Sequence, residues 1–291
     1  MTTKSSTENK SNWLEGKRGL VMGVANDRSI SWGIAKAAHE AGAELAFTYQ
    51  GDALLKRVKP LAESVGSEIM LPCDVTDESS IDTAFAEIEA KWGKIDFVVH
   101  GIAFSDKNEL DGLYLDTTRA NFLKTMDISV FSFTAVAQRA AKLMKEGGSL
   151  VTLTYYGAEQ VMPHYNVMGV AKAALEASVK YLANDLGRNN IRVNAISAGP
   201  IKTLAASGIG DFRAILKWNE LNAPLRRNVT IDDVGRSGLF LLSDLGSGVT
   251  GECLHVDSGY HTVGMCAVDT AAETGALLTS LAPKKPKDEA A

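Results

Sequence analysis

The stretch "GLVMGVANDRSISWGIAKAAHEAG", residues 19–42, decides the fold. It opens with an apolar, β-branched run, turns at Gly23 and continues with the apolar periodicity of a helix. The same succession of strand, turn and helix recurs along the chain. Because the strand-like runs are apolar along their length, the pattern predicts a parallel sheet covered by helices on both faces.

Seven runs have the character of strands: residues 19–25, 44–50, 68–75, 95–102, 149–156, 191–197 and 252–258. Helical periodicity lies between them, for example in residues 31–42, 78–93 and 117–144. Thr230 and Asp233 form a predicted capping box at the start of a later helix. The fold class is therefore α/β, a single-domain, Rossmann-like, doubly wound parallel sheet. Ligands of such sheets bind at the carboxyl ends of the strands.

The composition is that of a globular protein, with 45% hydrophobic and 22% charged residues among 291. The formal net charge of -5 argues against a general nucleic-acid binder, because such proteins need an excess of Lys and Arg to neutralise phosphates. Cys73, Cys253 and Cys266 form neither a C-x-x-C pair nor a cluster with the histidines. We therefore expect reduced thiols and no metal site.

The two ends of the chain are polar. The first twelve residues lack the apolar core of a signal peptide, and nowhere do about 18 apolar residues follow one another. We therefore expect a cytoplasmic protein that does not enter a membrane. We predict a flexible N-terminal tail over residues 1–15, one domain over residues 16–266 and a C-terminal tail over residues 267–291.

One segment, at about residues 202–229, belongs to no predicted strand. Long excursions in compact domains are commonly lids or binding loops. Gly208 and Gly210 are candidate hinges beside the apolar residues of this segment, which are Leu204, Ile209, Phe212, Ile215 and Leu216. The pattern favours a substrate flap, and a pair of packed surface helices is the alternative.

The turn after the first strand is a candidate phosphate site. Gly23 lets backbone N–H groups approach a pyrophosphate, and Gly33 lets the following helix pack close to the strand. The usual G-x-G-x-x-G spacing is absent, so an ordinary connection stays equally open.

Later turns indicate which dinucleotide would bind. Gln50, at the end of the second strand, can hydrogen-bond a ribose hydroxyl and favours NADH over NADPH, although Lys56 and Arg57 lie close enough in sequence to reach a 2′-phosphate. Asp74, with Val75 beside it, either accepts the adenine amino group or caps the next helix.

Tyr165 precedes a helical run, and Lys172 follows it by seven positions. Seven helical residues turn through about 700°, so the two side chains project within about 20° of each other, separated by about 10.5 Å of rise. Many helices carry such a pair on plain surface. Other parts of the sequence are needed to distinguish a surface pair from a functional pair.

With these pieces in order the chain resembles the short-chain dehydrogenases/reductases, and among them the bacterial enoyl-acyl-carrier-protein reductases. The likeness covers about residues 17–265 and rests on "GVANDRSISWGIA", "LAFTYQ", "CDV", "VVHGIAF", "YYGAEQVMPHYNVMGVAKAALEA", "IRVNAISAGPIKTLAASGI" and "GECLHVDSGY". Most members of the superfamily separate Tyr and Lys by four positions, but position 169 is glycine here. The enoyl reductases separate them by seven, as this chain does.

The resemblance implies NADH-dependent reduction of trans-2-enoyl thioesters in bacterial fatty acid synthesis, with an acyl carrier protein as partner and a homotetrameric assembly. It implies catalytic roles for Tyr155, Tyr165 and Lys172, with Tyr155 favoured over the adjacent Tyr156. The cofactor residues that it implies are Gly23, Ser29, Ile30, Gln50, Asp74, Val75, Ile102, Lys172, Ile201, Thr203, Leu204 and Ala205. The implied substrate residues are Ser105, Tyr155, Tyr165, Met168, Ala205, Ala206, Ile209 and Phe212. The chain departs from the enoyl reductases in "HGIAFS". Related enzymes often have a serine directly after the histidine and a glycine directly after the isoleucine, where this chain has Gly101 and Ala103.

The reaction that the resemblance implies suggests a role for each of the three catalytic side chains. Hydride addition at C3 of an enoyl thioester leaves negative charge on the thioester oxygen, which the Tyr165 phenol would stabilise. Lys172 would bind the nicotinamide ribose, and Tyr155 would shape the thioester end. Structural roles are favoured for His100, His164 and His261, because none lies in the motif that the resemblance assigns to chemistry.

Three questions stay open at this point. A short-chain carbonyl reductase would use Tyr165 to protonate an alkoxide, and the seven-residue spacing argues against it. A non-catalytic nucleotide-sensing protein has the same fold, but such proteins usually lose the Tyr or the Lys. The flap region carries basic residues that would meet an acidic carrier or serve only as solvated surface, namely Lys202, Arg213, Lys217, Arg226 and Arg227.

Overall fold

The computed structural model describes residues 12–281, except for the side chains at positions 207 and 208. The outer parts of both predicted tails, residues 1–11 and 282–291, lie outside the described residues, as does the side-chain environment of the candidate hinge Gly208.

The seven predicted strands form one parallel sheet in the order β3-β2-β1-β4-β5-β6-β7. The strands are β1 (Arg18–Met22), β2 (Glu44–Tyr49), β3 (Ile69–Pro72), β4 (Phe97–His100), β5 (Gly148–Thr154), β6 (Ile191–Ala198) and β7 (Cys253–Val256). The order reverses at β1 and β4, so a crevice opens where the chain leaves these strands. The predicted fold class is confirmed.

Helices cover both faces of the sheet. They are α1 (Ile30–Glu40), α2 (Gly51–Ser64), α3 (Glu78–Trp92), α4 (Arg119–Met126), α5 (Ser132–Leu143), α6 (Asn166–Gly187), α7 (Phe212–Asn222), α8 (Ile231–Leu242) and α9 (Ala271–Leu281). One core packs α3, α5 and α6 on the sheet, and the other packs α1, α2 and α8. Side chains of β1 alternate between them, with Leu20 and Met22 in the first core and Val21 in the second.

The helical run predicted over residues 117–144 is interrupted by a π turn. Residues Asp127–Phe131 separate α4 from α5, and the Ser132 hydroxyl donates to the Ile128 carbonyl at 2.7 Å. Such turns often occur at functional sites. The predicted capping box of α8 is confirmed, since Thr230 and Asp233 each bind the backbone N–H of the other.

Gly33 has a different neighbour from the predicted one. A Cβ at this position would lie 2.2 Å from the Ile231 carbonyl oxygen, and one at Gly235 would lie 2.4 Å from the Gly33 oxygen. The glycine therefore brings α1 close to α8, while other side chains of α1 pack on the sheet. Sequence reasoning missed this contact because the partner helix lies about 200 residues further along the chain.

Both predicted tails contain ordered parts. The Leu14 side chain is buried, and its N–H donates to the Ala41 carbonyl. The C-terminal stretch forms α9, which begins next to an ion pair between Asp269 and Arg226 at 2.7 Å. The flap segment contains a short 3-10 turn (Ala205–Gly208) and α7. Among the described residues, no helix is long and apolar enough to cross a membrane.

Candidate active site

A cavity of about 300 Å³ opens at the carboxyl ends of β4, β5 and β6. Every residue that the sequence suggests for the substrate lines it: Ser105, Tyr155, Tyr165, Met168, Ala205, Ala206, Ile209 and Phe212. Lys172, Ile30, Ile201 and Thr203 line it as well. The wall is largely apolar, as expected of a pocket for a hydrocarbon chain.

Tyr165 lies at the N-cap of α6 and is 8% exposed. Its ring meets that of Tyr155 edge to face, at 5.1 Å between centroids. The hydroxyl forms no hydrogen bond with another described residue and belongs to the cavity wall. Burial, followed by the nearby Tyr155, raises the pKa of the Tyr165 phenol. The phenol therefore stays protonated and can act as a hydrogen-bond donor.

Lys172 lies on α6 and is 6% exposed. Its Nζ donates to the Leu153 carbonyl oxygen at 2.8 Å. Burial lowers the pKa of this ammonium to about 8, while the carboxylate of Glu176 acts in the opposite direction. Lys172 thus lies at the end of β5 and lines the cavity.

The seven-residue spacing has a steric basis. A Cβ at Gly169, where most short-chain reductases carry the lysine, would lie 2.7 Å from the Gly157 carbonyl oxygen. A Cβ at Gly157 would in turn lie 2.5 Å from Cδ1 of Tyr165. The loop around Gly157 thus packs directly on the first turns of α6, and a side chain at position 169 would clash with it.

Tyr155 and Tyr156 point in different directions. Tyr155 lines the cavity, and burial raises the pKa of its phenol. Tyr156 instead donates to the His261 carbonyl at 3.3 Å and packs edge to face on His255 and Tyr260. The structure therefore places the residue preferred by the resemblance in the cavity.

A polar network beside Ser105 was not expected from the sequence. Asn121 and Thr125 are buried on α4, and the Thr125 hydroxyl lies 3.0 Å from the Ser105 hydroxyl. Asn121 also accepts from the backbone N–H of Asp106 at 3.0 Å. The positions are four apart on one helix, so their shared face could have been read from the spacing.

A second cavity, of about 590 Å³, lies at the ends of β1 to β4. The predicted cofactor residues that line it are Gly23, Gln50, Asp74, Val75, Ile102, Leu204 and Ala205. Ala103, Phe104 and Ala205 line both cavities, so the two are contiguous. Lys124 also lines the second cavity and lies 4.7 Å from the centre of the Phe104 ring. No sequence motif singled out this lysine.

Gln50 and Asp74 are joined at the rim of the second cavity. The Gln50 Nε2 donates to Asp74 Oδ2 at 2.8 Å. The other carboxylate oxygen accepts from the N–H and hydroxyl of Thr76, and the Thr76 backbone N–H is the main cause that lowers the pKa of Asp74. The cap of α3 is Asp77, so the helix-capping alternative for Asp74 is wrong. Lys56 and Arg57 are not among the lining residues.

The β1–α1 turn begins with a glycine, so its backbone carries no side chain there. Gly23 has a φ of 86°, and a Cβ there would lie 2.1 Å from the Gly101 carbonyl oxygen. Ser29 lines neither cavity. Its buried hydroxyl accepts from the N–H groups of Ala25 and Asn26, at 2.9 and 3.1 Å, and so fixes the shape of the turn.

His100, His164 and His261 line neither of the two cavities. His100 is fully buried between the hydroxyls of Ser132 and Thr152, and burial lowers its pKa to about 3. His261 stacks on His255 at 4.0 Å. His164 bridges Asp111 and Asp211, at 2.6 and 3.4 Å.

Comparisons with known proteins point to one family. The family model described as Enoyl-(Acyl carrier protein) reductase matches residues 23–261. A relative from Rhizobium meliloti, named NADH enoyl-acyl-carrier-protein reductase 1, is 73% identical over 256 residues, which cover 88% of this chain and 94% of the relative. A Bacillus cereus relative with the corresponding name is 56% identical and covers 86% of this chain and 99% of its own length.

Solved structures agree with these relatives. An Anaplasma phagocytophilum enoyl-acyl-carrier-protein reductase in complex with NAD is 62% identical, with a TM-score of 0.86 over 88% of this chain and 98% of that one. A Bacillus cereus enoyl-acyl-carrier-protein reductase with NADP+ and an indole naphthyridinone is 55% identical, with a TM-score of 0.85 over 87% of this chain and 99% of that one.

Proposed function

This chain belongs to the enoyl-(acyl carrier protein) reductase family, and we propose that Tyr165 and Lys172 act on substrate and NADH in one continuous site. The reaction reduces a trans-2-enoyl thioester to the saturated acyl thioester and completes an elongation cycle of bacterial fatty acid synthesis. The observation that carries the assignment is the shared wall: both side chains line the cavity that adjoins the Gln50 and Asp74 cavity.

The second cavity fits a dinucleotide. Gly23 offers backbone without a side chain where a pyrophosphate would approach. The Gln50 amide N–H donates to Asp74, which leaves the amide oxygen of Gln50 to accept a hydrogen bond from a ribose hydroxyl. An acceptor oxygen disfavours a 2′-phosphate at the same place, so the site prefers NADH. Ile30, Ile201 and Thr203 line the adjoining cavity and would flank the nicotinamide end.

When bound, NADH supplies the hydride that reduces C3 of the enoyl thioester, and a proton taken up at C2 then converts the enolate to the saturated acyl thioester. Tyr165 donates a hydrogen bond to the thioester oxygen, on which negative charge collects as C3 is reduced. A preorganised donor of this kind contributes roughly 100-fold or more in rate. Tyr155 packs on the edge of the Tyr165 ring and holds its orientation.

Lys172 holds the cofactor sugar. Its contact with the Leu153 carbonyl fixes the ammonium at the end of β5, and its other N–H groups are available to ribose hydroxyls. A pKa of about 8 keeps most of this group charged at neutral pH. Ser105, supported by Asn121 and Thr125, presents a hydroxyl near the acyl thioester.

We assign an acyl carrier protein as the proposed partner. Three of the five basic residues in the flap segment form ion pairs with carboxylates. Lys217 pairs with Glu220 at 3.4 Å, Arg226 with Asp269 at 2.7 Å and Arg227 with Asp233 at 2.6 Å. Within the described chain, Lys202 and Arg213 pair with no carboxylate. These two cations are therefore the ones available to an acidic partner.

We further propose a cytoplasmic homotetramer. The three cysteines are free thiols, which suits a reducing compartment. Large apolar side chains are exposed on α4, the π turn and α6, at Leu123, Phe131 and Tyr181. Subunit contacts would cover such surface. Light scattering of the purified protein tests the assembly, and a monomer at micromolar concentration would contradict it.

The assignment of the reaction is tested by following NADH consumption with crotonyl and acetoacetyl thioesters. We expect rapid oxidation of NADH with the crotonyl substrate and little with the acetoacetyl one. Turnover of only the acetoacetyl thioester would show carbonyl reduction instead. An absence of NADH oxidation with both substrates would favour a non-catalytic nucleotide binder.

A further inference from the structure

A third cavity lies between α7 and α9, and we name it the α7–α9 cleft. Its volume is about 790 Å³. Its walls are Arg28, Lys202, Thr203, Ile209, Asp211, Phe212, Arg213, Ala214, Leu216, Leu277, Ser280 and Leu281. Helix α9 lies beyond residue 261, where the match to the family model ends. One wall of this cleft therefore lies outside the part of the chain that the family model matches.

The position of α9 is fixed by contacts with the C-terminal end of α7. The Thr270 hydroxyl donates to the Leu221 carbonyl at 2.8 Å, and the Ala267 N–H donates to Asn222 Oδ1 at 2.8 Å. Asn222 itself is 2% exposed. Since a buried side chain and a backbone carbonyl of α7 are both bound, α9 and the flap helix form one unit.

The cleft adjoins the active site. Thr203, Ile209 and Phe212 line both the catalytic cavity and the α7–α9 cleft. A thioester with its acyl chain in the catalytic cavity must send the rest of its carrier arm out through an opening in that wall. The boundary formed by these three residues leads such an arm into the cleft.

The cleft is cationic in a chain whose net charge is negative. Arg28, Lys202 and Arg213 enter it from three different segments, the β1–α1 turn, the loop after β6 and α7. Arg28 has one weak ion pair, at 4.0 Å to Asp27, and both of these side chains are more than 70% exposed. Asp211 is the acidic residue in the wall, and it faces His164 at 3.4 Å.

We propose that the α7–α9 cleft binds the phosphopantetheine arm of the thioester substrate. The phosphodiester would lie against Arg28, Lys202 and Arg213, because guanidinium and ammonium groups form charge-assisted hydrogen bonds with phosphate oxygens. The uncharged part of the arm would run along Leu277 and Leu281 towards Ile209 and Phe212. This inference rests on the proposed enoyl reductase function and adds the site that recognises the carrier arm.

Two thioesters that differ only in the phosphate test the proposal. The substrates are crotonyl-pantetheine and crotonyl-4′-phosphopantetheine, compared with the crotonyl carrier protein. Arg213→Ala should raise KM about fivefold for the two phosphate-bearing substrates and change it less than about twofold for crotonyl-pantetheine. The KM for NADH should not change. Arg213 is exposed, so its removal leaves the core intact.

A matched pair on α9 tests the contribution of this helix. Ser280 lines the cleft, whereas the neighbouring Thr279 does not, and both are exposed. Ser280→Asp places a negative charge in the cleft and should raise KM for the phosphate-bearing substrates. Thr279→Asp adds the same charge outside it and should leave KM unchanged.

Three outcomes would overturn the proposal. These are an equal rise in KM for all three substrates, a rise with the carrier protein alone, or a rise in the KM for NADH. A rise with the carrier alone would locate these cations at a contact with the carrier's protein surface. Reduction of crotonyl-pantetheine by the unmodified enzyme in the same assay would keep the proposed function intact in each case.

Discussion

Lys172 and Glu176 lie one turn apart on α6 and are bound to consecutive residues of β5. Lys172 donates to the Leu153 carbonyl at 2.8 Å, and the Thr154 hydroxyl donates to Glu176 at 2.6 Å. Burial raises the pKa of Glu176 and lowers that of Lys172. The carboxylate thus supports the charged form of the lysine. Glu176 was not among the predicted site residues, although its i+4 spacing from Lys172 could have suggested it.

The first prediction concerns the basic limb of the pH profile. Activity should fall as pH rises through about 8, because Lys172 loses its proton there. Glu176→Gln removes a negative charge that raises the pKa of Lys172, so the fall should begin at lower pH. The measurement is kcat/KM for NADH between pH 6 and about 9.5.

The surroundings of Glu176 define the control. Glu159 and His255 face it and pair with each other at 2.6 Å, and Cys253 lies beside it on β7. Glu159→Gln should therefore move the basic limb less than Glu176→Gln does. Identical profiles for the unmodified enzyme and Glu176→Gln would rule out an effect of Glu176 on the charge of Lys172.

The second prediction distinguishes the role of Tyr165 from that of Lys172. Tyr165→Phe removes the hydroxyl that we propose as the donor to the thioester oxygen, and it should lower kcat by about 100-fold with crotonyl thioester. NADH affinity, measured by fluorescence titration, should change little. Lys172→Ala should instead weaken NADH binding, because the ammonium addresses the ribose. The reverse pattern would mean that the two roles are exchanged.

The seven strands and their parallel arrangement could be predicted because the strands are apolar runs that local sequence reveals, whereas the order of the strands was not predicted. The cavity residues were found largely through the resemblance, and the structure brings Tyr155, Tyr165 and Lys172 into one wall. Their roles stay predictions.

Features that depend on distant partners could not be predicted. The Ala- and Leu-rich run "AAETGALLTSL" is a local helix signal that the prediction of a C-terminal tail overlooked. Nothing local gives the position of α9, however, because contacts with Leu221 and Asn222, about 50 residues earlier, fix it. The π turn before Ser132 likewise has no local signal, because it reflects packing around Ser129 and Phe104, whose polar groups bind each other. Lys124 was missed because it follows no strand and belongs to no motif.

The third prediction concerns the packing that holds the tyrosine. A Cβ at Gly157 would lie 2.5 Å from Tyr165 Cδ1, so Gly157→Ala must displace the ring. We expect kcat to fall at least about tenfold and the free energy of unfolding to fall by roughly 1–3 kcal/mol. Gly187→Ala, at the end of the same helix, meets nothing within 4 Å and serves as the control. A Gly157→Ala variant with unchanged kcat would show that the ring position does not limit the reaction.

The fourth prediction concerns stability in acid. His100 is fully buried, and burial lowers its pKa from 6.5 to about 3, so the folded state binds fewer protons than the unfolded state between these values. Stability therefore falls as pH drops below about 6.5, and this one group should cost about 2 kcal/mol between pH 6.5 and pH 5. Urea unfolding at pH 7 and pH 5 measures the effect. In His100→Asn the loss between the two pH values should be smaller by about that amount, whatever the variant's stability at pH 7. An equal loss in both proteins would show that His100 is protonated in the folded state.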